Sequence, residues 1–164
     1  MSAPAQETTV NGHEGLLAAS PHLEPDQSWP TVFVVDDDEC LRSLIGDWVE
    51  HAGFQAVCLP SGERCLSALA AQTPLAVVLD LHMTGMGGAA TLDAIRGAGS
   101  GIPVIVLSGE GAPATQMDLI DRGATEFLVK PVRRTDLIRT LLGVFPARET
   151  PVAHEALPTS RSLP

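Results

Sequence analysis

The stretch TVFVVDDDE (residues 31–39) runs from five residues rich in β-branched side chains straight into three aspartates and a glutamate. A run of that length and make-up reads as a buried strand. Four acids at its carboxyl end raise one another's cost of ionisation, the more so at the edge of a core. Either they sit in a solvated turn or helix start, or they surround a cation. Residues further along the chain decide between the two.

Working outward, Leu41, Leu44, Ile45, Trp48, Val49 and Ala52 follow at helical spacing, with Gly53 as a stop. FQAVC (54–58) reads as a second strand, and 61–71 as a helix opened by Ser61 and carrying Cys65, Leu66 and Leu69. LAVVLD (75–80) is a third strand and 88–97 a third helix. IPVIVLS (102–108) is a fourth strand, before a helix from about Pro113, a good first-turn residue, to Arg122. TEFLV (125–129) is a fifth strand, and a last helix carries Leu137, Ile138, Leu141 and Leu142. Five strand–helix units between 31 and 145 predict a doubly wound α/β fold, a five-stranded parallel sheet with helices on both faces.

The flanks differ. Four of the 13 prolines fall in residues 1–30 and four in 146–164, and neither flank holds sustained periodicity, so both are expected to be disordered arms around a domain at 31–145. GLLAAS (15–20) is apolar but too short for a stable lone helix. No apolar run approaches a membrane span, and no Lys or Arg precedes a hydrophobic block at the N-terminus, which predicts a cytoplasmic protein. Cys40, Cys58 and Cys65 show no CxxC spacing and are expected to be reduced core residues. The net charge of −10 argues against nucleic acid as a direct partner.

Folds of this class bind ligands outside the carboxyl ends of their strands. Strand one ends in Asp36, Asp37 and Asp38, strand three in Asp80, strand four in Ser108 and strand five in Lys130. A strand-end Asp alone is usually a helix cap and a strand-end Ser a turn residue. Their convergence on one rim points instead to a site. Lys130 is the only lysine, against nine arginines, which suggests a place where a compact ammonium is required.

VVDD (34–37), VVLDLHMTGMGG (77–88), VIVLSG (104–109) and FLVKP (127–131) together resemble the receiver domain of bacterial two-component response regulators, over roughly 31–145. The resemblance implies the flavodoxin-like strand order 2-1-3-4-5. It implies Asp80 as phosphoacceptor and Mg²⁺ held by Asp37 and Asp80, with Asp36 acting mainly through water and the His82 backbone carbonyl completing the set. Ser108 would hydrogen-bond the phosphoryl group, Lys130 would pair with it, and Ser108 and Phe127 would form the switch. The implied partners are a histidine kinase or phosphotransfer protein and an unidentified downstream protein at the surface of helix four, strand five and helix five. Asp38 and Glu39 are then expected to face solvent in the first turn of helix one, where the helix dipole favours acids. Thr84 and Gly87 depart from the proline and acid frequent in the family, and a more mobile loop is expected there. A role for His82 or Glu110 in tuning dephosphorylation is a further possibility, as is Phe127 being plain strand core.

The competing enzyme reading is a haloacid-dehalogenase-like phosphatase with Asp36 as nucleophile and Asp38 as its second acid. It lacks the late acidic pair: only Asp136, Glu149 and Glu155 follow Lys130. It also leaves Asp80 without a task. A dinucleotide site fails for want of a G-x-G-x-x-G after strand one. If the sequence is complete, the residues after the last helix are too few for a helix-turn-helix domain, and a single-domain regulator is expected.

Overall fold

The structure, a computed structural model, describes residues 29–144. The expected arms therefore lie outside the described residues, GLLAAS, Glu149 and Glu155 included; only Trp29 and Pro30 of the N-terminal one are described. Strands and helices alternate: β1 (Thr31–Val35), α1 (Glu39–His51), β2 (Gln55–Leu59), α2 (Gly62–Ala71), β3 (Ala76–Asp80), α3 (Gly88–Gly97), β4 (Val104–Ser108), α4 (Pro113–Asp121), β5 (Glu126–Val129) and α5 (Arg134–Gly143). The strands form one parallel sheet in the order β2-β1-β3-β4-β5.

Alternation along each strand divides the core. Phe33 and Val35 face α2, α3 and α4 together with Val77, Leu79, Val104 and Val106, packing on Cys65, Leu92, Ile95 and Leu119. Val32 and Val34 point to the opposite face with Val78, Ile105 and Leu107, against Ile45 and Val49 of α1 and Leu137 and Leu141 of α5. Each fully buried side chain of this kind is worth about 1.5–3 kcal/mol. Helices on both faces explain why β3 and β4 are buried throughout and read as continuous apolar runs rather than alternating ones.

Local chemistry sets the ends. Asp38 caps α1, accepting from the amides of Cys40 and Leu41, and Ser61 caps α2 through the Arg64 amide. Gly53, at φ +90, lets the chain leave α1 in the left-handed region, and Pro113 opens α4. β2 begins one residue later than the sequence suggests. The Phe54 amide is taken by the Val49 carbonyl at 3.3 Å, and pairing starts only at Gln55.

Three expectations are corrected. Leu44 and Leu142 are not core residues but 45% and 57% exposed, lying at the margins of their helices' apolar arcs. Of the cysteines only Cys65 is in the core, where burial pushes its thiol up to about 11. Cys40 and Cys58 are exposed, on the outer side of α1 and on an edge strand. Asp38 lies one residue before the helix, as its cap, rather than within the first turn; it and Glu39 are exposed as expected.

α3 starts directly beneath the end of β3. A methyl group on Gly88 would collide with the Asp80 carbonyl oxygen and sit 2.7 Å from Leu81 Cα, and backbone cannot step aside as a side chain can. Gly88→Ala is expected to cost about 3 kcal/mol in denaturant titration. An unchanged midpoint would mean that α3 shifts freely relative to β3.

Candidate functional site

The carboxyl ends of β1, β3 and β5 deliver their polar residues to one cavity of about 350 Å³, lined by Asp36, Asp37, Asp38, Leu41, Asp80, His82, Gly109 and Lys130. Apolar strands carry Asp36 and Asp80 inward until they are 1% and 4% exposed. Each is held by a different device. Asp36 accepts from the Asp38 amide at 2.9 Å and the Lys130 ammonium at 3.2 Å. Its own carbonyl takes an Arg42 guanidinium N–H at 2.7 Å, which fastens the β1–α1 turn. Asp37 accepts from the Thr84 amide at 2.7 Å. Asp80 Oδ1 is buried without a well-directed hydrogen bond; Lys130 Nζ stands 2.8 Å away, outside hydrogen-bonding alignment, so the contact is one of charge.

The electrostatics follow from this arrangement. Burial raises the Asp36 carboxyl above its ordinary 3.8, and the nearby Asp80 charge adds to it against the Asp38 amide and Lys130. Its folded value being raised, Asp36 contributes stability that is present below 3.8 and lost as pH rises through the higher value. Asp37 is lowered, chiefly by the Thr84 amide and secondly by the Thr84 hydroxyl. Burial works against the Lys130 ammonium, but Asp80 and Asp36 outweigh it and hold the ammonium above 10.5. The site is thus an acidic cluster with one fixed cation.

Asp36, Asp37 and Asp80 each offer an oxygen within 4.8 Å of the others, a spacing that fits one small cation. The donors are all hard oxygens, and Asp80 Oδ1 lacks a hydrogen-bond partner, so the residues suit Mg²⁺ better than a soft metal.

The other expected residues are placed as follows. The Ser108 side chain is buried at the end of β4, beside β3 and β5, but it does not line the cavity; its hydroxyl accepts from the Glu110 amide at 3.0 Å. Phe127 is 8% exposed and packs with the α2–α3–α4 core. His82 lines the cavity with an exposed imidazole, 3.6 Å from the Glu110 carboxylate. The β3–α3 loop is where greater mobility is expected from the sequence. It is tied at two points, by Thr84 to Asp37 and by the Met86 amide to Glu63 Oε1 at 3.1 Å. Sequence reasoning missed these ties and Arg42, because main-chain donors and carbonyl acceptors leave no trace in residue type. The one available signal for Thr84 was that it stands where proline, which has no N–H, is frequent.

A family model described as "Response regulator receiver domain" matches residues 32–142. The response regulator protein FleR of Pseudomonas aeruginosa is 34% identical over 138 residues, covering 80% of this chain and 29% of that protein. The two-component response regulator ORR11 of Oryza sativa is 31% identical over 120 residues, 71% of this chain and 82% of that protein. Among solved structures, the chemotaxis protein CheY4 of Vibrio cholerae superposes with a TM-score of 0.68 at 25% identity, over 72% of this chain and all of the other. The chain spans less than a third of the length of FleR. It belongs to the response regulator receiver family.

Proposed function

We propose that this receiver domain, taken as residues 31–145, accepts a phosphoryl group on Asp80 from the phosphohistidine of a histidine kinase or phosphotransfer protein, in a reaction that requires Mg²⁺. The observation that carries the reading is the placement of Asp80: a buried carboxylate oxygen without a hydrogen bond, 2.8 Å from an ammonium and in one cavity with Asp36 and Asp37. An Asp80 oxygen forms the new O–P bond while the donor's N–P bond breaks and its electron pair remains on the imidazole nitrogen. Asp36, Asp37 and Asp80 would hold Mg²⁺, with the His82 carbonyl, and the ion when bound offsets negative charge on the transferring phosphoryl oxygens. Lys130 pairs with the phosphoryl group once it is on Asp80. Ser108 bonds it by giving up its contact with the Glu110 amide. Phe127, already within the core, is the neighbour through which that rearrangement reaches α4.

The switch surface is α4, β5 and α5, where a downstream protein docks as phosphorylation shifts the population of its conformers. Four of the six large apolar side chains exposed among the described residues lie there: Met117, Ile120, Val129 and Leu142. The net charge of −10 speaks for a protein partner over nucleic acid. No helix among the described residues is long and apolar enough to cross a membrane, and the three cysteines are unpaired, which supports a cytoplasmic setting.

The phosphatase reading is the weaker one. Both Asp36 oxygens are engaged, and Asp38 is spent on capping α1. Incubation with acetyl phosphate separates the two. An alkali-labile label that needs Mg²⁺ and maps to the peptide containing Asp80 is expected; a label on the peptide containing Asp36 would transfer the nucleophile there.

A further inference from the structure

We propose that the main-chain amide of Thr84 is a positioning group for Asp37: it ties one carboxylate oxygen so that the other is presented to the divalent cation. The inference rests on the Mg²⁺-binding reading above and adds a residue to it. The bond is short, at 2.7 Å from the Thr84 nitrogen to Asp37 Oδ2, and it joins residues 47 apart in sequence. Asp36 is oriented from within its own turn and by Lys130, whereas the hydrogen bond to Asp37 comes from the β3–α3 loop. The donor is itself held in place. Two residues on, the Met86 amide is anchored to Glu63 of α2, with Gly85 at φ +75 between them. The loop thus approaches Asp37 from a fixed base.

A half-exposed aspartate at the mouth of a cavity otherwise samples several rotamers, and a metal ion must select one of them. A donor on the far oxygen makes that selection in advance. The backbone amide is the group that matters here, so the prediction separates substitutions by whether they keep it. Thr84→Ala loses the side chain and retains the N–H. Thr84→Pro loses the N–H.

Titration calorimetry with Mg²⁺ alone is expected to find Thr84→Ala within about twofold of the unsubstituted protein and Thr84→Pro weaker by about tenfold, at the low end for a lost outer hydrogen bond to a ligand. A loop that merely needs threonine for packing would show the reverse order. Equal affinity of the proline and unsubstituted proteins overturns the inference, as does tighter binding by the proline variant. A second measurement needs neither metal nor the proline variant. In metal-free protein the Thr84 amide is expected to exchange with solvent on the order of tenfold more slowly than in Asp37→Ala; equal rates overturn the tether. Failure of the unsubstituted protein to bind Mg²⁺ would count against the proposed function instead, and the exchange experiment would still decide whether the tether exists.

Discussion

Asp80→Asn protein is expected to keep its fold and its thermal midpoint while losing acetyl phosphate labelling by roughly a thousandfold or more, the scale on which removal of an attacking nucleophile acts. The substitution preserves shape. It replaces a carboxylate that is 4% exposed with an amide of the same outline. It also leaves Lys130 a partner, since Asp36 Oδ2 remains 3.2 Å from the ammonium. Taking one charge from a crowded acidic cluster leaves burial to raise Asp36 and removes the Asp80 repulsion that adds to it. The two readouts are therefore independent: phosphoryl uptake falls while stability holds. Labelling at the unsubstituted level in a folded Asp80→Asn protein would sink the receiver chemistry for this chain. Loss of folding would show that the fold depends on the charge contact with Lys130, an outcome that circular dichroism distinguishes from loss of the acceptor.

Lys130 is expected to produce the second large effect, on response rather than on uptake. Its ammonium sits 3.2 Å from Asp36 and 2.8 Å from Asp80 at the end of a strand that carries Phe127 into the core. Lys130→Arg keeps the charge but swaps a point cation for a planar fork that favours paired contacts. It should fold, and beryllofluoride as a phosphoryl mimic should then produce little of the chemical-shift change near Phe127 that the unsubstituted protein shows. Lys130→Ala should respond as poorly and also lose about 1–3 kcal/mol in metal-free buffer, because Asp36 and Asp80 then face one another without a cation. That loss should shrink as pH falls. The Asp36 carboxyl, already raised by burial, takes up a proton in the folded state before the unfolded chain does, so stability decreases as pH rises through its raised value. In the unsubstituted protein Lys130's own contribution is full below 10.5 and is lost as pH rises from there through its raised value. A full response from Lys130→Arg would mean that charge alone suffices and that the lone lysine is an accident of composition.

Much of this architecture is written in local pattern. The apolar runs at 31–35, 76–80 and 104–108 are strands because their residues are buried on both faces, and continuous hydrophobicity over five residues has few other uses. Ser61, Gly53 and Pro113 mark helix ends because capping and backbone freedom depend on the residue itself. The identities of Asp36, Asp37, Asp80 and Lys130 as one constellation were also legible, since parallel strands must bring all their carboxyl ends to the same rim. Tertiary structure alone decided which neighbours hold those groups. The amide of Thr84 reaches Asp37 across 47 residues, and Arg42 takes the Asp36 carbonyl; main-chain donors and acceptors are the same in every residue type, so no pattern announces them. It decided too that Leu44 and Leu142 are exposed, because helical spacing fixes the centre of an apolar face but not its margins, and that Cys58 is exposed, on a strand at the edge of the sheet. The engagement of the Ser108 hydroxyl by the Glu110 amide is likewise a matter of the nearest satisfied hydrogen bond, which only the folded loop supplies.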